Sequence, residues 1–148
     1  MMDEADVQRL LQFPYTMIGS DGLPHDTHPH PRLWGAFPRV LGYCSRELGL
    51  FSLEEAVRRM TGLSAYRFSL AGRGILAPGA YADVTVFDPE TVADRATFER
   101  PTIPAAGIEH VFVNGRPVWT GGKPTGECPG RALRRQQMQA EARGLQTH

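Results

Sequence analysis

The stretch "IEHVFVNGRPVWTGG", residues 108–122, holds two runs of β-branched and aromatic residues with Asn114 and Gly115 between them. Asn-Gly is the favoured central pair of a type I′ turn, in which both residues take positive φ, so the stretch predicts a β-hairpin. Upstream, "GRGILAPGAYADVTVFD", residues 72–88, carries a Pro78-Gly79 turn and then a short β-rich run from Val84 to Phe87. Together the two stretches predict a small antiparallel β module. The residues between them, Val92 to Ala106, carry weak signals and read as an excursion loop. Past the hairpin, Gly130 to Gln146 is basic and polar with few apolar anchors, a surface helix at most.

The other half of the chain has helical periodicity. "DEADVQRLLQFP", residues 3–14, places Val7, Leu10 and Leu11 at helical spacing and stops near Pro14. "YTMIGS" follows, and its run from Tyr15 to Ile18 predicts a strand buried on both faces, as in a parallel sheet. "GLPHDTHPHPRLWGAF", residues 22–37, is rich in proline and reads as a long loop. From Pro38 a helix is expected, with Val40, Leu41, Cys44 and Leu48 on one side and Gly49 ending it. Ser52 and Glu55 have the spacing of a capping box, ahead of a helix whose inner face is Leu53, Ala56, Val57 and Met60.

Composition narrows the function classes. A chain of 148 residues suits one domain, or one domain with an appendage, and 16 basic against 16 acidic residues leave no net charge. Nucleic acid and anionic membrane are therefore not favoured as partners; a small neutral ligand or another protein is. No apolar run approaches the roughly 18 residues of a membrane span, and "MMDEADVQRLL" is acidic where a secretory leader is basic, which predicts a cytoplasmic protein. Cys44 and Cys128 lie far apart and in no metal spacing, so both read as plain thiols.

Among polar residues, Asp21 stands directly after the apolar "TMIGS" and before Gly22. By spacing alone it is an ordinary Asp-Gly turn residue. His25, His28 and His30 lie close enough in sequence to suggest a shared metal ion, but Pro29 and Pro31 favour an extended loop, so solvated loop histidines are expected, with a substrate-loop role as the alternative. His110 alternates with Val111 on the first hairpin strand and reads as a surface residue. Trp34 and Phe37 are expected to pack beneath the loop or to line a ligand pocket. Asp83 and Asp88 flank a strand and read as turn formers.

Five stretches in order, "MIGSDGLPH", "HPRLWGAFPRVLG", "LFSLEEAVRRMTG", "GRGILAPGAYADVTVFD" and "IEHVFVNGRPV", make the chain resemble the C-terminal part of the N-acyl-D-amino-acid deacylases, the D-aminoacylases of the metal-dependent amidohydrolase superfamily. The resemblance runs to about Arg135. Gly79, Ala82, Asp83, Asp88 and the Val113-Asn114-Gly115 hairpin support the broad superfamily, whereas "SDGLPH" and "HPRLWGAFPRVLG" point to the acylases. It implies an α+β chain: the last strand and helices of a (β/α)₈ barrel over residues 1–71, part of a small flanking β-sandwich over 72–122, and a polar tail over 123–148.

The resemblance also implies roles. Asp21 becomes the catalytic aspartate at the end of the eighth barrel strand, at the face where such barrels carry their chemistry. In that family the residue takes a proton from zinc-bound water and passes one to the leaving amine, so Asp21 is also expected at the metal, as part of a complete site. The family's zinc ligands come from earlier strands, and its His-x-His is not the His28-Pro29-His30 of this chain. The resemblance covers only the last third or so of such an enzyme. This chain is therefore expected to hold no zinc alone and to be inactive in isolation, with an N-acyl-D-amino acid as the complete enzyme's substrate. A complementary barrel fragment or a second copy is the expected partner. A non-catalytic remnant or interaction module is the alternative.

Overall fold

The computed structural model describes residues 3–23 and 25–133, and the expected tail helix lies largely outside the described residues. The chain is an α+β fold. Its helices are α1 (Glu4–Gln12), α2 (Arg32–Arg39) with a π-helical continuation (Val40–Glu47), α3 (Leu53–Met60) and α4 (Gly62–Arg67). Its strands are β1 (Val84–Phe87), β2 (Ile108–Val113), β3 (Arg116–Thr120) and β4 (Lys123–Pro124). They form one four-stranded antiparallel sheet in the order β1-β2-β3-β4.

Local chemistry explains the helix ends. Asp3 caps α1 by accepting from the Ala5 N–H at 3.2 Å. At α3 the Ser52 hydroxyl accepts from the Glu55 N–H at 3.2 Å, so the expected cap forms. The return half of the box does not form. Glu55 instead binds Arg58, with Nε at 2.6 Å, and Arg59, with Nε at 2.7 Å. Arg59 is almost fully buried, at 3 % exposure; it donates to the Leu11 carbonyl at the end of α1 and lies over the Phe51 ring. Charge pairing across the turn outcompetes the weaker reach back to the cap.

Those contacts hold the Glu55 carboxyl far below the usual carboxylate range, at about 2, chiefly through the hydrogen bonds from Arg58 and Arg59. A depressed folded-state value means the stabilisation is fully present above about pH 4.5 and is lost as the pH falls towards 2. In Glu55→Gln this part of the acid sensitivity should vanish. Urea midpoints compared at pH 6 and pH 3 should fall further in the parent than in the variant, and equal falls would refute the linkage.

Two expectations for the N-terminal half need correction. Tyr15–Ile18 is not a strand; the chain turns at Pro14-Tyr15 and then runs irregularly. A strand needs a hydrogen-bonding neighbour, and none of the described strands lies beside this run. Ile18 nevertheless packs on the core. The helix expected from Pro38 starts earlier, at Arg32, and Pro38 lies inside it. Proline lacks the N–H that would continue the ladder, and its ring crowds the carbonyl of the preceding turn. The helix passes just afterwards into π geometry, in which the Leu48 N–H reaches Tyr43 O at 2.9 Å. Gly49, at φ 61°, ends it as expected.

The core lies where the π segment, α3 and the base of the excursion meet. Val40, Leu41, Ala56 and Val92 form its buried centre, with Phe51, Met60, Phe87 and Ile108 packed around them. Val92 belongs to the segment expected to be a simple excursion loop, yet it is fully buried. Arg46 reaches across from the π segment and donates to the carbonyls of Pro89 at 2.9 Å and Val92 at 2.8 Å. The loop is closed at its base by the Ala93–Ala106 bridge.

The hairpin forms as the sequence predicts. Asn114 and Gly115 take φ of 48° and 77°, the positive pair that a type I′ turn requires. The turn is also tied down. The Asn114 N–H donates to Asp83 Oδ1 at 2.8 Å, and Arg73 binds both Asp83 Oδ2 and, at 3.0 Å, Asn114 Oδ1. Replacing Gly115 with Val, a β-branched residue that resists positive φ, should cost about 1 kcal/mol or more. An unchanged unfolding midpoint would contradict this.

Candidate functional site

Asp21 stands between Thr16–Ser20, which runs irregularly, and the loop that leads into α2. Its backbone takes φ 48°, in the left-handed region that aspartate tolerates better than most residues. The Ser20 hydroxyl accepts from the Gly22 N–H at 3.3 Å. Gly22 lies so tightly on Leu33 that an added Cβ would fall 2.9 Å from the Leu33 Cα. The turn is thereby pressed onto the start of α2.

Arg32, the first residue of α2, fixes the aspartate. Its Nη2 lies 2.7 Å from Asp21 Oδ2 and its Nε donates to the Asp21 carbonyl at 3.0 Å. The forked guanidinium therefore grips side chain and backbone together. The Asp21 side chain is still 80 % exposed, so its carboxylate is held in orientation but presented outward. A cleft of about 380 Å³ beside the pair is lined by Met17, Ile18, Arg32, Ala36, Arg39 and Cys44.

The histidines do not converge with Asp21. His28 Nε2 lies 2.7 Å from the carbonyl oxygen of Phe98, and His30 Nδ1 accepts from the Arg32 N–H at 3.1 Å. His30 also meets the Phe98 ring edge-on, with centroids 5.0 Å apart. Among the described residues, no three His, Cys, Asp or Glu side chains are grouped as metal ligands.

The remaining candidates have structural tasks. Asp83 anchors the hairpin turn, and Asp88 closes its own turn by accepting from the Glu90 N–H at 2.9 Å and the Thr91 hydroxyl at 2.7 Å. The hydrogen bond from Thr91 chiefly holds the Asp88 carboxyl below its ordinary range. His110 is not the surface residue expected; it is half-buried, and its Nδ1 lies 2.8 Å from the Thr120 hydroxyl. Phe37 lines an apolar groove of about 450 Å³ with Pro38, Leu41, Met60, Leu76 and Phe87, whereas Trp34 is not among its walls. Cys44 and Cys128 are free thiols, the first buried and pushed up in pKa chiefly by that burial, the second exposed. Among the described residues, no helix is long and apolar enough to cross a membrane.

Sequence reasoning left out Arg32 and Phe98. They stand 11 and 77 positions from Asp21 in the chain, separations that carry no periodic signal.

A single carboxylate does not make a zinc site, because catalytic zinc takes about three protein ligands and a water. The donor set among the described residues does not fit that ion without ligands from elsewhere.

Comparison with known proteins gives the geometry its context. The model of the amidohydrolase family matches residues 5–119. D-aminoacylase of Alcaligenes xylosoxydans xylosoxydans is 67% identical over 135 residues, which are 91% of this chain and 28% of that protein. A crystal structure of D-aminoacylase, described as defining a novel subset of amidohydrolases, superposes with a TM-score of 0.89 at 66% identity, over 91% of this chain and 28% of that one. The N-acyl-D-glutamate deacylase of Bordetella bronchiseptica, solved with zinc and a phosphonate mimic of the tetrahedral intermediate, gives 0.79 at 57% identity, over 83% of this chain and 27% of that one. The chain thus spans less than a third of the length of the relatives it matches.

Proposed function

The chain belongs to the amidohydrolase family, and on that premise we propose that it is the C-terminal segment of a zinc-dependent deacylase of N-acyl-D-amino acids, in which Asp21 carries the proton. The observation that carries the reading is the Asp21 carboxylate itself, exposed yet held in one orientation by Arg32. In amide hydrolysis the oxygen of water attacks the carbonyl carbon and the C–N bond breaks. Asp21 takes the proton that water gives up and returns it to the departing nitrogen. A carboxylate is suited to both transfers if it starts ionised, and Arg32 Nη2 holds its Oδ2 at 2.7 Å. Zinc, held chiefly by residues outside this chain with Asp21 as one part of the complete site, would activate the water and polarise the carbonyl.

On the same reading, residues 1–71 complete a barrel, 72–122 belong to a flanking sandwich and 123–148 form a tail. The partner is then the rest of the barrel, supplied in the same polypeptide or as a complementary fragment; a second copy is the alternative. Exposed Leu76 and Ile75, at 82% and 60%, beside the apolar groove favour a docking role for this face, which a non-catalytic interaction module would share.

The test is a deacylation assay with N-acyl-D-methionine and added zinc. The chain alone should release no D-methionine, because one carboxylate does not retain the ion. A chimera joining it in frame to the upstream part of the Alcaligenes D-aminoacylase should be active. Zinc-dependent turnover by the chain alone would refute the proposal and return attention to His25, His28 and His30. A folded, zinc-loaded but inactive chimera would refute it as well.

A further inference from the structure

Phe98 is a large apolar residue left 66% exposed in the excursion loop, far in sequence from the Asp21 turn. Its surroundings connect it to that turn through an unbroken set of contacts. The loop tip is ordered by its own turn: the Thr97 N–H donates to Arg100 O at 3.2 Å, and the Arg100 N–H donates to the Thr97 hydroxyl at 3.1 Å. On this tip the Phe98 carbonyl lies 2.7 Å from His28 Nε2. A carbonyl only accepts, so that nitrogen carries the proton. The Phe98 ring meets the edge of His30 at an interplanar angle of 81°. The orientation of the His30 ring matters, because its Nδ1 accepts the Arg32 N–H, and Arg32 in turn holds Asp21 by side chain and backbone.

A second tie runs parallel to the first. Asp94, at the root of the same loop, binds Arg39 at 3.3 Å and lies against Gly35, where an added Cβ would meet the Asp94 Cβ at 3.1 Å. The excursion is therefore fastened to α2 at its root and to the histidine loop at its tip.

We infer that Phe98 is a positioning residue for the Asp21 carboxylate, acting through His30 and Arg32; the inference rests on the reading of Asp21 as the proton-transfer group. Phe98 touches no reacting atom. It fixes the His30 ring, which accepts the first amide of α2 and thereby sets the place from which Arg32 grips the aspartate. Edge-to-face contacts of this kind are worth up to about a tenfold change in an equilibrium.

Phe98→Ala removes the ring and keeps the carbonyl that faces His28. In the chain itself, hydrogen exchange at the Arg32 amide should become about tenfold faster, with exchange at Val111 in the sheet unchanged and Phe98→Tyr restoring protection. In the active chimera, Phe98→Ala should lower kcat by about tenfold while KM stays within about twofold, and Phe98→Tyr should recover kcat. Unchanged exchange at Arg32, or equal loss of protection at Val111, would overturn the inference. So would a fall in kcat that Phe98→Tyr does not repair. An unsubstituted chimera without activity would overturn the functional reading alone, and the exchange result would still decide the positioning.

Discussion

Asp21→Asn in the chimera that completes this chain should lower kcat by about 10²–10⁴-fold and leave zinc content nearly unchanged. The amide has the size of the carboxylate and keeps one oxygen for Arg32 Nη2, now 2.7 Å from Oδ2, so the turn should retain its shape. What disappears is basicity. An amide does not accept the proton of the attacking water or return one to the departing nitrogen. The positive φ of 48° adds no penalty to this substitution, since asparagine tolerates the left-handed region at least as well as aspartate. The measurement is kcat and zinc per chain on matched samples. Full activity in the variant would remove Asp21 from proton transfer, and loss of both activity and zinc would make it chiefly a ligand.

The second large effect concerns stability. Gly107→Ala should cost about 3 kcal/mol or more, because a methyl group there has nowhere to go. Its Cβ would stand 2.5 Å from Val92 N, 2.6 Å from Val92 Cα and 2.8 Å from the Thr91 carbonyl carbon, all backbone atoms. Those atoms have little freedom to retreat. The Val92 N–H donates to Asp88 O at 2.9 Å, its carbonyl accepts from Arg46 at 2.8 Å, and its side chain is fully buried. Gly42 closes on the same residue, since a Cβ there would lie 2.4 Å from Val92 O. Gly107 also takes φ 71°, which itself costs an L-residue roughly 1–2 kcal/mol. Gly121→Ala separates the two contributions, for Gly121 has φ 57° with nothing within 4 Å of its added Cβ. Urea unfolding should show the larger loss at Gly107. Equal losses would mean that backbone conformation alone accounts for the effect.

Val92 illustrates why part of the core was not legible beforehand. Its segment has neither period 2 nor period 3.6, so no face could be assigned. Burial comes from glycines at positions 42 and 107, both remote in sequence, which let two backbones close on it. Arg59 presents the same difficulty in a charged residue. Helical spacing puts it one step from the apolar face of α3, and the Glu55 carboxylate, the end of α1 and the ring of Phe51 together make a buried guanidinium tolerable. The short helix α4 went unpredicted because "GLSAYR" is too brief to establish a period. The start of α2 was concealed by the flanking prolines, which favour loop until tertiary contacts hold the turn.

Wherever the controlling interaction spans a few residues, the sequence by itself determined the outcome. The Asn114-Gly115 turn, the Ser52 cap, the β1 run and the stop at Gly49 follow from φ preferences, hydroxyl acceptors and side-chain branching, and these act locally. Family membership was legible for a related reason: an ordered set of short motifs survives as text whatever its folded surroundings. The tertiary structure alone decided the partners of the charged and aromatic groups. Arg32 reached Asp21, Phe98 reached His28 and His30, and Arg46 reached Val92 through contacts whose sequence separation sets no pattern. Tyr15–Ile18 marks the limit from the other direction: its β propensity is local, but the backbone hydrogen bonds that make a strand must come from a neighbour, and none of the described strands supplies them.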